Sequence, residues 1–274
     1  MIGVGCDRSS AKADKSTQNL LQVDEIKRFV GGVAPVRKGV TWAYADESGK
    51  VITKFIYEEA HAFSEGMAAV KLNDKWGFIN ESGVAVIEPR FESVSSLGFS
   101  ESVAEACPSS KCGYVDKLGQ FVIEPKFDFG LDFKDGMACV IVKEHGDRLE
   151  ALIDKHGKFV VGPRYNRIDP FSEDLAGVKL KGLLGFIDRT GRLVIPIQFD
   201  EVQGFGGGLV AARRGRISKW GFVDKTGHFL IMPRFDEVAT VGGEYAFSKG
   251  YAKVKTDAGW GCITKTGEGV DCPS

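Results

Sequence analysis

Several things are scarce in this chain, and each scarcity closes off a class of function. Charge of one sign is scarce: 36 Lys and Arg face 37 Asp and Glu, for a net charge of −1. The basic residues are also dispersed, which leaves no clustered positive surface of the kind nucleic-acid binding needs. Long apolar runs are missing, and none approaches the ~18 residues of a membrane-crossing helix. There is no CxxC, and the four histidines (His61, His145, His156 and His228) lack the spacing of metal ligands, so no metal or cofactor is expected. No serine sits in GxSxG, and no Cys–His pairing suggests a nucleophile. Gly206-Gly207-Gly208 is not followed by Lys-Ser/Thr and is no phosphate loop. The expected catalytic and cofactor-binding residues are therefore none.

Glycine and phenylalanine, by contrast, are plentiful, at 35 and 19 residues. Both belong to a phrase that returns seven times, opening at Phe29 (FVGGVAPV), Phe63 (FSEGMAAV), Phe99 (FSESVAEA), Phe133 (FKDGMACV), Phe171 (FSEDLAGV), Phe205 (FGGGLVAA) and Phe247 (FSKGYAKV). The spacing, 34 to 42 residues, is that of one small unit copied in tandem. A residue present in every copy is a structural residue, because an active site is seldom needed seven times. The phrase-opening Phe residues are the expected core anchors.

A second phrase follows each first one. Lys75–Phe91 reads KWGFINESGVAVIEPRF, with counterparts from Cys112, Glu150, Leu184 and Trp220, a divergent first copy WAYADESGKVITKF from Trp42, and a last copy from Trp260. Apolar residues alternate or run in short blocks rich in Val, Ile and Phe, bounded by Asp, Lys and Gly, which is the pattern of β-hairpins. Asp at the turn start accepts backbone N–H groups and the turn glycine supplies positive φ. By the same logic Asp46, Asp116, Asp154, Asp188 and Asp224 read as turn residues rather than a ring of catalytic carboxylates. Three strands per unit are expected, in the second copy over Met67–Leu72, Trp76–Asn80 and Val84–Glu88. A short apolar–acidic phrase after them (Phe199-Asp-Glu-Val202, Phe235-Asp-Glu-Val238) is a fourth strand or a bend.

The fold class is thus all-β: seven tandem antiparallel hairpin or three-stranded units filling residues 21–273 as a single repeat domain, behind a polar leader over 1–20. The chain ends where another apolar–acidic phrase is due, while Val23-Asp-Glu-Ile26 near the start looks like one. That complementarity of the ends favours a propeller-like ring; the alternative is an open β-solenoid.

The tandem phrase KWGFIN…SG…VIEPRF, preceded by FSEGMAAV, resembles the WG-repeat family of mostly bacterial proteins. The Trp slot holds Trp42, Trp76, Trp220 and Trp260 but Cys112, Glu150 and Leu184 elsewhere, and Ala43 follows Trp42. The resemblance implies a β-repeat body serving as a binding or scaffold module, and it brings no catalytic residues with it. The expected function is non-enzymatic binding of an unidentified protein or cell-envelope ligand by variable loops. The alternative is a propeller-type hydrolase or lyase with a site at the central mouth.

Six cysteines remain to be placed. Cys107 and Cys112 flank a short loop between two expected strands, and Cys262 and Cys272 flank the turn at Gly267, so each pair is a candidate disulfide. Cys139 alternates into a core-like position. Cys6, after Gly-Val-Gly and before a polar tether, resembles the end of a bacterial lipoprotein signal; it is the candidate lipidation site and the only membrane link expected. An exported, cell-envelope location is favoured over a cytoplasmic one. The longest departures from the repeat are Lys143–Glu150, Arg213–Lys219 and Ala239–Tyr245. Loops of this kind carry recognition, and Arg213, Arg214 and Arg216 form a basic cluster expected to contact a ligand. On that reading, replacing all three with Ser leaves the melting temperature nearly unchanged.

Overall fold

The computed structural model describes residues 22–215, 218–240 and 246–272. The leader over 1–20, with Cys6, and Arg216 lie outside the described residues. Among the described residues every regular element is a β-strand, and the strands assemble into seven antiparallel sheets in tandem. The chain divides into two compact units, Met1–Ile141 with Ile153–Lys158, and Val142–Leu152 with Phe159–Ser274.

In the first unit the second repeat shows the plan. Its strands Glu59–Ala60, Met67–Leu72, Lys75–Asn80 and Ala85–Phe91 lie side by side in that order. The sheet therefore has four strands where three were expected. The extra strand is the apolar–acidic phrase, and it belongs to the repeat that follows it. Ser93–Val94, after the second repeat, pairs with Ala104–Cys107 of the third, Ser93 opposite Cys107 and Val94 opposite Ala106. The physical reason is edge protection. Without the phrase, the small-apolar strand would leave its N–H and C=O groups unpaired. With it, Glu92 N–H donates to Cys107 O at 2.8 Å and Ser95 N–H to Glu105 O at 3.1 Å.

The same pairing holds near both ends of the chain. Glu25–Ile26 pairs with Val33–Lys38 of its own repeat, Glu25 opposite Arg37. The last repeat has its own phrase strand, Glu237–Val238, against Tyr251–Thr256. Among the described residues, each of these phrase strands thus pairs within its own repeat.

In four repeats the glycine after the Trp slot is required by a close approach. In the second repeat the third strand shifts register against its neighbour between Trp76↔Phe91 and Phe78↔Ile87. A Cβ on Gly77 would collide with Ile87 O and come within 2.7 Å of Pro89 N. Gly113 meets Ile123 O in the same way. In the second compact unit, Gly185 and Gly221 would place a Cβ 2.6 Å from Ile195 O and Ile231 O. The first repeat, with Ala43 in this slot, has no regular third strand. Only isolated bridges Trp42↔Tyr57 and Ala45↔Val51 remain. Tyr57, eight residues after the turn glycine, stands where Phe91 stands.

The core lies between successive sheets. Met67, Ala69, Trp76, Phe78, Ile87 and Phe91 of the second repeat pack against Phe99, Ala104, Ala106 and Val115 of the third. The phrase-opening Phe is the seal. Phe63 meets Tyr44 edge-on at 5.2 Å, Phe99 meets Phe78 at 5.0 Å, and Phe133 meets Tyr114 at 4.9 Å. A basic residue beside Pro adds a hook: Arg90 donates to Gly119 O, and Lys126 Nζ to Gly157 O at 3.2 Å. Within the second compact unit Phe205 packs on Phe186 and Phe247 on Phe222, each at 5.0 Å, and Arg234 donates to Gly267 O at 2.6 Å.

Candidate functional site

Most of the residues that look chemical in the sequence are committed to structure. Oδ1 of Asp46, Asp116, Asp154, Asp188 and Asp224 accepts the backbone N–H groups two and four residues ahead, at 2.8–3.1 Å in every case. These carboxylates close turns. The bonds hold Asp46 and Asp188 below the usual carboxylate range, chiefly through Ser48 and Thr190 hydroxyls, and Asp154 through the Lys158 amide. Asp224 is also lowered; burial opposes the shift, but the Thr226 hydroxyl and the His228 and Thr226 amides outweigh it.

The arginine cluster is likewise occupied. Arg213 is only 18% exposed, pairs with Glu201 at 2.6 Å, and lies 5.0 Å over the Trp220 ring. Arg214 stacks on Phe199 and Phe229 and donates to Gln198 Oε1 at 2.5 Å. Arg213 is thus held in a pair and on a ring, while Arg214 remains exposed. The cysteines are joined as Cys107–Cys112 and Cys262–Cys272, with Cα separations of 4.0 and 5.1 Å. Cys139, outside both bridges, is half-buried.

What varies is a pair of slots. One slot is the residue just after the phrase strand; the other is the middle residue of the small-apolar strand. The first donates its backbone N–H to the carbonyl of the second in all seven repeats: Lys27 to Pro35, His61 to Ala69, Ser95 to Glu105, Leu131 to Cys139, Asp169 to Gly177, Gln203 to Ala211, and Ala239 to Lys253, at 2.8–3.1 Å. The backbone is the same each time, yet the side chains differ. A large residue also faces a small one: His61 faces Ala69, Asp169 faces Gly177, Gln203 faces Ala211, and Lys253 faces Ala239. The contact is direct in the fifth repeat, where a Cβ on Gly177 would lie 2.7 Å from Asp169 Oδ2.

Each repeat thereby brings mainly one large side chain to one equivalent place. Lys27 lies 4.2 Å over the Trp42 ring and donates to Ala60 O at 2.8 Å. His61 packs on Trp76 with ring centroids 4.6 Å apart. Burial pushes its pKa down, and the Lys27 charge adds to this. His61 Nδ1 and Gln203 Oε1 are buried atoms with no hydrogen-bond partner. The spacing of the histidines gives no hint of this role, whereas the seventh letter of the repeated phrase (P, A, E, C, G, A, K) changes from copy to copy and marks one slot of each pair.

The third and fourth repeats contribute the densest polar cluster. Glu105 is the only buried charged residue among those described, at 3% exposure, and Gly130 N–H donates to its Oε1 at 2.8 Å. Burial raises its pKa to about 7, with a further rise from Asp132. Asp132 is itself raised by burial, opposed by a 2.6 Å hydrogen bond from Ser95 Oγ. Tyr114 Oη donates to Leu131 O at 2.7 Å, and burial and then the Glu105 charge raise its pKa.

The comparisons with known proteins follow the repeat. No curated protein sequence matches the chain. Among solved structures, a eukaryotic initiation factor is 10% identical, over 88% of this chain and 73% of that one, with a TM-score of 0.48. Hsv2p of Kluyveromyces lactis is 10% identical over 71% of each chain, with a TM-score of 0.40. The sequence profile of the WG containing repeat matches residues 42–76, 76–107, 113–144, 152–183, 185–215 and 220–260. With six copies matched and the Trp-Gly glycine accounted for by strand geometry, the chain belongs to the WG containing repeat family.

Proposed function

We propose that this protein is a non-enzymatic binding scaffold whose specificity resides in the paired slots of its repeats. The observation that carries the reading is that seven equal backbone pairings hold seven different side-chain pairs. Repeated residues are used up in turns, seals and hooks, while the slots hold Lys27, His61, Glu105, Asp169, Gln203 and Lys253. A rigid repeated body with variable positions is how repeat proteins recognise ligands. The partner on this reading is a protein or a cell-envelope glycan.

The test is a thermal-shift screen of the full chain against soluble cell-envelope glycan fragments and a set of short peptides. It is run in parallel on the double variant His61→Ala with Gln203→Ala. The reading expects one probe class to raise the melting temperature of the wild type and not of the variant. A probe that stabilises both equally, or one that is converted to products, contradicts it.

A second reading, a hydrolase or lyase, draws on the raised carboxyl groups of Glu105 and Asp132, since shifted groups cluster at active sites. Against it, Glu105 is covered and tied to a backbone amide. Turnover abolished by both Glu105→Gln and Asp132→Asn would favour the enzyme.

A further inference from the structure

The third repeat departs from the others on one face of its hairpin. In three other repeats one cross-strand pair near the end of this hairpin is a basic residue opposite Trp: Arg37 opposite Trp42, Lys71 opposite Trp76, and Lys255 opposite Trp260. In the third repeat the same two positions are Cys107 and Cys112, and the disulfide takes the place of the cation–ring contact. Two residues before Cys107, on the same face of the strand, is Glu105. One carboxylate oxygen of Glu105 and the two sulfurs lie within 4.8 Å of one another, and all three residues are buried. It is the one such convergence among the described residues. The second disulfide, Cys262–Cys272, has no such carboxylate.

We infer that Glu105, Cys107 and Cys112 form a thiol-gated site for a thiophilic divalent cation, Zn2+ by its chemistry. In the oxidised chain the sulfurs are bonded to each other and the site is closed. A dithiol reductant opens it: the dithiol gives up two electrons and two protons and becomes a disulfide, and the Cys107–Cys112 bond becomes two thiols. Zn2+ then replaces the two thiol protons, and that of the Glu105 carboxyl where it is protonated, and these are released to solvent. The donor set is two thiolates and one carboxylate with a fourth position open, which suits zinc better than the oxygen-preferring Ca2+ or Mg2+. Gly130 N–H, fixed on Oε1, is the outer hydrogen bond that orients a carboxylate ligand. Bound zinc would need the sulfurs roughly 3.5–4 Å apart, which side-chain rotation supplies once the bond is broken. The exposed loop Pro108–Ser110 beside the pair is the route of entry. This inference stands independently of the binding scaffold reading.

The test is cobalt titration of the full chain, oxidised and then reduced with a phosphine under argon. The reduced protein should take up one equivalent of Co2+ with a near-ultraviolet thiolate-to-cobalt band, and Zn2+ should displace it. The oxidised protein should show no band. Cys112→Ser should lose the band, Cys262→Ser with Cys272→Ser should keep it, and Glu105→Gln should bind Co2+ at least tenfold more weakly. Should Cys112→Ser not fold, Glu105→Gln decides. No band in the reduced wild type, equal affinity in Glu105→Gln, or a band that needs Cys262 and Cys272 overturns the inference. So does a reduced chain that unfolds and stays unfolded with zinc.

Discussion

The second and third repeats share a backbone and almost nothing else at their variable positions. Both have a phrase strand, a small-apolar strand, a Gly forced by a close approach, and an aromatic sealed by the next phrase Phe. The second fills its slots with His61 and Ala69 and its basic–aromatic pair with Lys71 and Trp76. The third fills the same places with Ser95 and Glu105, and with a disulfide. The difference teaches that the repeat is held by residues outside these places, so they are open to functional change at small structural cost.

The largest expected effect is at the shared seal. Phe99→Ala removes a buried ring between the two repeats and should cost about 3–5 kcal/mol, read from urea unfolding. A loss below ~1 kcal/mol would mean that the repeats do not depend on the seal.

Next comes pH, where the two repeats should part. Glu105 has a folded pKa of about 7 against an ordinary 4.5. Its folded value is raised, so its contribution to stability is full below the ordinary value and is lost as pH rises through about 7. The difference in pKa corresponds to roughly 3 kcal/mol before discounting for partial solvent access. Oxidised wild type should therefore be more stable at pH 5 than at pH 8.5, and Glu105→Gln should flatten that slope. The turn carboxylates of Asp46, Asp154, Asp188 and Asp224 act with the opposite sign. Their pKa values are depressed, so their stabilisation is present above the ordinary value and lost as pH falls through the folded ones. An unchanged slope in Glu105→Gln would break the account of the third repeat.

A smaller effect is expected at the Trp-Gly step. Gly77→Ala and Gly221→Ala place a methyl against a carbonyl and should cost about 1–3 kcal/mol. Gly261→Ala, in open space in the last repeat, should cost almost nothing beyond its propensity. Equal costs at Gly77 and Gly261 would show that the close approach is not what selects glycine. Smallest is Arg213→Ser, which removes a part-exposed ion pair and the packing on Trp220. It should lower the melting temperature measurably, roughly as a loss of 1 kcal/mol. An unchanged melting temperature would instead fit the solvated basic cluster that the sequence alone suggests.

The strongly periodic parts of the molecule were legible in the sequence. Met67–Leu72 is a strand over the residues its alternation marked, the Asp and Gly of each turn behave as turn chemistry dictates, and the Trp, Gly and Phe slots keep their register. The phase of the repeat was not legible. The apolar–acidic phrase follows the third strand in sequence, and composition alone leaves it a fourth strand or a bend. Its partner is the small-apolar strand ahead, a hydrogen-bonding fact with no signature in local composition. The slot pairs were hidden for the same reason. His61 and Ala69 are eight residues apart, and only the register brings one over the other. Ala43 shows a further limit. The substitution is visible, yet its consequence, a third strand reduced to bridges, depends on how closely that strand must approach. In the fourth repeat Ala151 fills the same slot, and the third strand Phe159–Tyr165 carries Gly162 where Glu88 stands in the second.

The central claim is that the paired slots complement each other in size on a backbone indifferent to their identity. A double-mutant cycle in the fifth repeat tests it: urea unfolding of Gly177→Leu, Asp169→Ala and the pair together. The account predicts that Gly177→Leu alone is strongly destabilised, because Asp169 occupies the space, and that adding Asp169→Ala restores most of the loss. Losses that simply add would contradict it.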